Sequence, residues 1–172
     1  NQSVLYTATR GTGTPGKIEI TANNLKLNES VISDDNLSTT KPGGIMVILS
    51  DDMTMTGNSV IATVSRGPAS AADLNISAKD ILVTQGSLLS SDAFLSGPGG
   101  SLNIFAETVQ LTDGGLISSG STQARVPPGF GFPPPPPPTG TGGTITIQGR
   151  ASPAQSILID GAGSGVFTNT EG

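Results

Sequence analysis

Residues Gly100 to Ser119 read GSLNIFAETVQLTDGGLISS and carry three short apolar runs, Leu102-Asn103-Ile104, Val109-Gln110-Leu111 and Leu116-Ile117. Ala106 follows the first run, and Asp113-Gly114-Gly115 precedes the last. In the first two runs apolar residues alternate with polar ones, the period of a strand with one buried face. Each run is too short to stand alone as a helix. The stretch buries almost nothing by itself, so it predicts one layer of a stack.

The other layers are in the same chain. The apolar-x-apolar motif of Leu102 and Ile104 recurs at Ile18/Ile20, Met46/Ile48, Leu74/Ile76 and Ile145/Ile147. Successive offsets are 28, 28, 28 and 43 residues, the last being one period plus 15. Second pairs follow at Leu25/Leu27, Met53/Met55, Ile81/Val83 and Val109/Leu111, and third runs at Val31-Ile32, Val60-Ile61, Leu88-Leu89 and Leu116-Ile117. A small residue stands in register between the first two runs: Ala22, Ser50, Ala78, Ala106 and Gly149. Identical tight corners need this if they are to stack. In the final copy the second pair, Ile157/Ile159, comes five places late, which predicts a bulging loop over residues 150–154, and Val166-Phe167 is the third run. Val4-Leu5-Tyr6 resembles a third run with nothing before it. Internal periods of this length are the mark of a solenoid.

The expected fold is therefore all-β, a right-handed parallel β-helix with three strands per coil, about 28 residues per coil and about five coils. The right hand follows from the near-universal handedness of parallel crossovers. Its core ladder is Ile18, Ile20, Met46, Ile48, Leu74, Ile76, Leu102, Ile104, Ile145 and Ile147. The third runs are expected to turn Ile32, Ile61, Leu89, Ile117 and Phe167 inward, with Thr63, Ser91 and Ser119 stacking beyond them as a hydroxyl ladder. Polar caps on terminal coils are expected of a complete solenoid, and none is recognisable. Residues 1–172 are accordingly expected to be one β-helix segment excised from a longer repeat protein.

One corner is enlarged. Residues 120–142 form a proline-rich insertion between coils. Within it, Pro133, Pro134, Pro135, Pro136, Pro137 and Pro138 predict a polyproline II run of about 19 Å. Two readings stand side by side. The insertion is an exposed spacer, or one packed on its own rod through Phe130 and Phe132. Alternatively it displays Phe130, Phe132 and Pro133 to Pro138 to a partner with an aromatic groove.

Composition narrows the function classes. The chain holds 8 Lys+Arg against 13 Asp+Glu, a net charge of −5. That disfavours nucleic acid and anionic membranes, both of which call for clustered cations. No 18-residue apolar stretch predicts a membrane span. With no Cys and no His, thiolate chemistry and a nucleophile–His dyad are excluded. Parallel β-helices also occur as polysaccharide-active enzymes, which need clustered carboxylates. The nearest approach is Asp52 and Asp80, which coil alignment places about one strand spacing apart. Asp34-Asp35 and Asp51-Asp52 are read as solvated loop pairs, and the calcium-binding nonapeptide repeat is absent. No catalytic residue, metal or cofactor is expected.

The phrases GSLNIFAETVQLTDGGLISSGS and GGTITIQG…SILIDGAGSGVFTNTEG resemble the repeats of filamentous-haemagglutinin-like exoproteins, across nearly the whole chain except the insertion. What the resemblance implies is a β-helix rod, export by two-partner secretion, a secreted or bacterial cell-surface location, and adhesion to glycans or proteins of surfaces or cells. The family's rods carry no shared catalytic residues. The expectation is a structural shaft segment of a secreted adhesin. The alternatives are a carbohydrate- or protein-binding module that uses the insertion or an outward Ser/Thr/Asn face, and a polysaccharide-active enzyme. End-to-end self-association is a further expectation.

Overall fold

The computed structural model describes residues 3–13, 16–38, 45–94, 96–122 and 139–170. The described chain is all-β and winds as a parallel solenoid with three strands per turn. First strands of successive coils are β2 (Ile18–Thr21), β5 (Ile45–Leu49), β8 (Asp73–Ser77), β11 (Ser101–Phe105) and β14 (Thr144–Gln148). Second strands are β3 (Asn24–Asn28), β6 (Asp52–Thr56), β9 (Asp80–Val83), β12 (Thr108–Leu111) and β15 (Ser156–Ile159). Third strands are β1 (Ser3–Gly11), β4 (Ser30–Ser38), β7 (Val60–Ser65), β10 (Leu88–Phe94), β13 (Leu116–Thr122) and β16 (Gly165–Thr170). Each set forms one sheet, of five, five and six strands respectively.

Pairing is parallel, and equivalent residues are partners. Ile18 lies beside Met46, Met46 beside Leu74, Leu74 beside Leu102, and Leu102 beside Ile145. Ile104 and Ile147 continue the second column. The side chain of Met46 lies outside the described residues; its backbone register matches expectation. Along the rod Ile48, Leu74, Ile76, Leu102 and Ile104 are fully enclosed, as are Met55, Val83, Val109 and Leu111 on the second sheet. Ile20, Ile145 and Ile147 are partly buried against the same core. Burying each such side chain contributes about 2 kcal/mol, and it does so only because another coil covers it.

The corners repeat as faithfully as the strands. At the first corner, amides of Ala22, Ser50, Ala78 and Ala106 donate to carbonyls of the next coil, Leu49, Ser77, Phe105 and Gln148, at 2.8–3.0 Å. At the second, Gly57-Asn58, Gln85-Gly86 and Asp113-Gly114 each put two successive residues at positive φ. These turns close through Ser59, Ser87 and Gly115 amides donating to the carbonyls of Thr56, Thr84 and Thr112.

The last copy of this turn corrects the expected face of Phe167. Four residues separate Leu111 from Leu116, whereas five separate Ile159 from Gly165. The extra residue makes Gly165 the partner of Leu116 and Val166 the partner of Ile117. Val166 packs on the core, and Phe167 faces outward, 51 % exposed. A one-residue slip exchanges the two faces of a strand.

A second correction concerns Asp34 and Asp35. They belong to β4 and are not a solvated loop pair. Asp34 points into the rod, 2 % exposed, and accepts a 2.7 Å hydrogen bond from Thr7 Oγ1. Asp35 points outward and pairs with Arg66 at 3.3 Å.

The third sheet also holds the expected hydroxyl ladder. Thr63, Ser91 and Ser119 are enclosed, inward-facing and in the same column as Asp34. Thr63 Oγ1 and Ser91 Oγ both donate to the Ala72 carbonyl, at 2.9 and 2.7 Å, and Ser119 Oγ donates to that of Gly100 at 2.7 Å. The connections between coils thus supply the acceptors. A Cβ on Gly100 would collide with Ser91 Oγ and the Ala72 carbonyl, and one on Gly143 with Ser119 Oγ and the Gly100 carbonyl. Glycine holds these two places because the connection lies directly on the hydroxyls.

Candidate functional site

The outer surfaces are where a rod meets a ligand, and the three sheets differ there. The first sheet presents a row of polar side chains beside apolar ones, Leu49 being 41 % exposed on the same face. Asn75 and Asn103 are partners one coil apart, joined by a 3.0 Å hydrogen bond from Asn103 Nδ2 to Asn75 Oδ1, with Thr146 next in the row. This is an outward Ser/Thr/Asn face of the kind expected.

At the start of the second sheet, Asp52, Asp80 and Thr108 stand in register, as coil alignment predicts. Thr108 Oγ1 donates to Asp80 Oδ1 at 2.6 Å, and Lys79 Nζ lies 3.9 Å from Asp80 Oδ2. Asp80 is therefore committed to its neighbours, and Asp52 lies exposed beside it. Asp52 and Asp80 are register neighbours on one sheet, whereas glycoside hydrolysis uses two carboxylates that flank the bond. Among the described residues no cluster of three or more acidic groups suits a metal ion.

The third sheet is different. Val60, Leu88 and Leu116 lead its outward rows, half-buried, and Ala62, Val64 and Ser90 follow, buried. Asp92 sits in this face. Its carboxylate accepts from Ser118 Oγ at 2.9 Å and from the Gly120 amide at 2.9 Å. Burial pushes its pKa above the ordinary aspartate value, opposed by hydrogen bonds from Ser118, Gly120 and Ser90. Beside it the Arg66 guanidinium lies 5.5 Å from the centre of the Phe94 ring and faces Asp35. Sequence reasoning did not single out Asp92. Alternation from Leu89 gives its direction, but nothing local signals that an outward carboxylate would lose its water.

An open depression of about 650 Å³ lies where the loop after Gly149 stands off the last coil, lined by Ile147, Arg150, Pro153 and Ile157 among others. This is the bulge expected at 150–154. No carboxylate lines it. The expected partner-contact loop, Phe130, Phe132 and Pro133 to Pro138, lies outside the described residues. Among the described residues no helix is long and apolar enough to cross a membrane.

Compared with protein-family models, with curated proteins and with solved structures, the chain finds no match.

Proposed function

We propose that the chain is a shaft segment of a secreted, surface-associated bacterial adhesin, a rod that holds binding regions away from the cell. The observation that carries this reading is the unbroken register of three sheets along one axis through every copy. Each coil adds the same core residues and about 4.8 Å of length. Large apolar side chains are spent on stacking coil on coil rather than on walling a cleft. The resemblance of the repeats to filamentous-haemagglutinin-like exoproteins supports the adhesin setting and an export route across the outer membrane.

The test is an array of glycans and surface proteins probed with the purified chain. A shaft gives no saturable binding. Specific binding lost when residues 123–138 are replaced would favour the binding-module reading instead, and turnover of pectin, alginate or peptidoglycan fragments would favour the enzyme. A second arm joins the chain to a two-partner export domain with its transporter. The reading expects the chain outside the cell, open to added protease; retention inside contradicts it.

A further inference from the structure

The dipeptide Asp-Gly occurs at Asp113-Gly114 and at Asp160-Gly161, in the turns that lead into β13 and β16. A glycine after an aspartate leaves the approach of its amide nitrogen to the aspartate Cγ free of any Cβ. Both acids are exposed, so water reaches each. The two peptide links are nevertheless held differently.

At the first link, the Asp113 carbonyl accepts from the Gly86 amide at 2.9 Å and the Gly114 amide donates to Ser164 Oγ at 3.0 Å. Asp113 Oδ2 also accepts from Thr84 Oγ1 at 3.4 Å. Neighbouring coils thus occupy both the nitrogen and the carboxylate. At the second link, the Gly161 amide has one acceptor among the described residues, Oδ1 of Asp160 itself, at 2.8 Å. That contact sets the nitrogen beside Cγ, the atom to which Oδ1 is bonded. The Asp160 carbonyl accepts from Ser164 Oγ at 2.7 Å. A donor on that oxygen eases loss of the proton from the nitrogen of the same peptide unit. One hydroxyl therefore restrains the first link and activates the second.

We propose that Asp160-Gly161 is a site of spontaneous backbone modification, at which aspartate converts to isoaspartate through a cyclic imide, and that Ser164, by holding the Gly114 amide, protects Asp113-Gly114 from the same change. In the first step the Gly161 nitrogen attacks Asp160 Cγ. The N–Cγ bond forms and one Cγ–O bond breaks. The departing oxygen leaves as water, with the amide proton and one proton from solvent. In the second step water adds to either carbonyl of the imide and one proton returns to solvent. Opening at Cγ restores aspartate. Opening at the former main-chain carbonyl leaves the chain running through Cγ, one atom longer, with that carbonyl now a free carboxylate. Water is the only co-reactant. The added atom enters the turn from which β16 takes its register. The proposal goes beyond the shaft reading and does not rest on it.

The test is to hold the native chain for several weeks at neutral pH in water enriched in heavy oxygen, since each passage through the imide leaves one labelled oxygen. Trypsin separates the two sites, because Arg125 and Arg150 lie between them, and electron-transfer fragmentation locates the isoaspartate. Label at Asp160 is expected to run about tenfold or more ahead of label at Asp113, which reacts only from an opened turn. Equal labelling, faster labelling at Asp113 or no labelling at Asp160 overturns the proposal. In denaturant the two sites should label within about twofold of each other; a difference as large as the native one would belong to the local sequence and overturns the proposal as well. Ser164→Ala frees the Gly114 amide and takes the donor from Asp160, so it is expected to narrow the native ratio by about threefold or more. An unchanged ratio overturns the part given to Ser164.

Discussion

The interior of the rod has two halves, equally enclosed and differently held. Between the first and second sheets the columns are aliphatic, with Leu74, Leu102, Ile104 and Val109 enclosed. Under the far end of the third sheet the columns are Thr63, Ser91, Ser119, Ser65 and Ser121, enclosed to the same degree. In the aliphatic half the energy comes from area removed from water and from close packing. In the polar half a hydroxyl gains little by burial, and Thr63, Ser65, Ser91 and Ser119 are kept there by the connection carbonyls they meet, whereas Ser121 Oγ meets no partner among the described residues. Ser65 Oγ reaches the Ala69 carbonyl at 2.6 Å, as Thr63 and Ser91 reach Ala72. The lesson is that burial alone does not identify what stabilises a coil; the partner of each side chain does.

This contrast is open to attack by substitution. The largest loss is expected for Leu102→Ala, which opens a cavity between Leu74 and Ile145 and costs about 3 kcal/mol or more in denaturant unfolding. Ser119→Ala is expected to cost less, about 1–2 kcal/mol, because it removes the shorter of two hydrogen bonds to the Gly100 carbonyl and leaves it the Thr144 amide. If the serine costs as much as the leucine, the two halves do not differ as described.

Asp92→Asn is expected to act in the opposite direction. Burial raises the folded pKa of this acid above its ordinary value of 3.8, so the native state holds the proton more tightly than the unfolded chain. Stability from this group is then present at low pH and falls as pH rises from the ordinary pKa through the raised one. Asparagine keeps an acceptor for Ser118 and Gly120 without the buried charge. A Tm gain of a few degrees at pH 7, vanishing below about pH 3.8, is the expected scan. The smallest effect belongs to the outer face. Asn103→Ala should change stability by no more than about 0.5 kcal/mol, since its link to Asn75 is one surface hydrogen bond.

Much of the architecture is legible in the residues because a solenoid writes itself as repetition. Ile18, Leu74 and Leu102 name their own partners once the 28-residue period is seen, and Ala78 and Ala106 mark corners too tight for larger side chains. The inward hydroxyls at Thr63, Ser91 and Ser119 follow from strict alternation. Phe167 does not, because its face is decided by one residue added to the preceding turn, and an aromatic beside a valine looks like core from either register. Asp34 escapes for a related reason. A pair of aspartates reads as solvated until the strand through them is known, and only one of the two faces water. The outer patch around Ala62, Val64, Ser90 and Asp92 is the least legible, since covering an outward face depends on what lies above the sheet and leaves no period in the strand.

The stacking claim is tested most directly by excising one coil. Removing residues 73–100 joins Ala72 to Ser101 and brings β11, β12 and β13 onto β5, β6 and β7 in the same register, with Met55 under Leu111 and Ile61 under Ile117. The shortened chain is expected to keep its strand signal and a single cooperative thermal transition, whereas removing residues 73–97 breaks the period and is expected to abolish both. Loss of the transition in the 28-residue deletion, or its survival in both, would contradict a rod built from interchangeable coils.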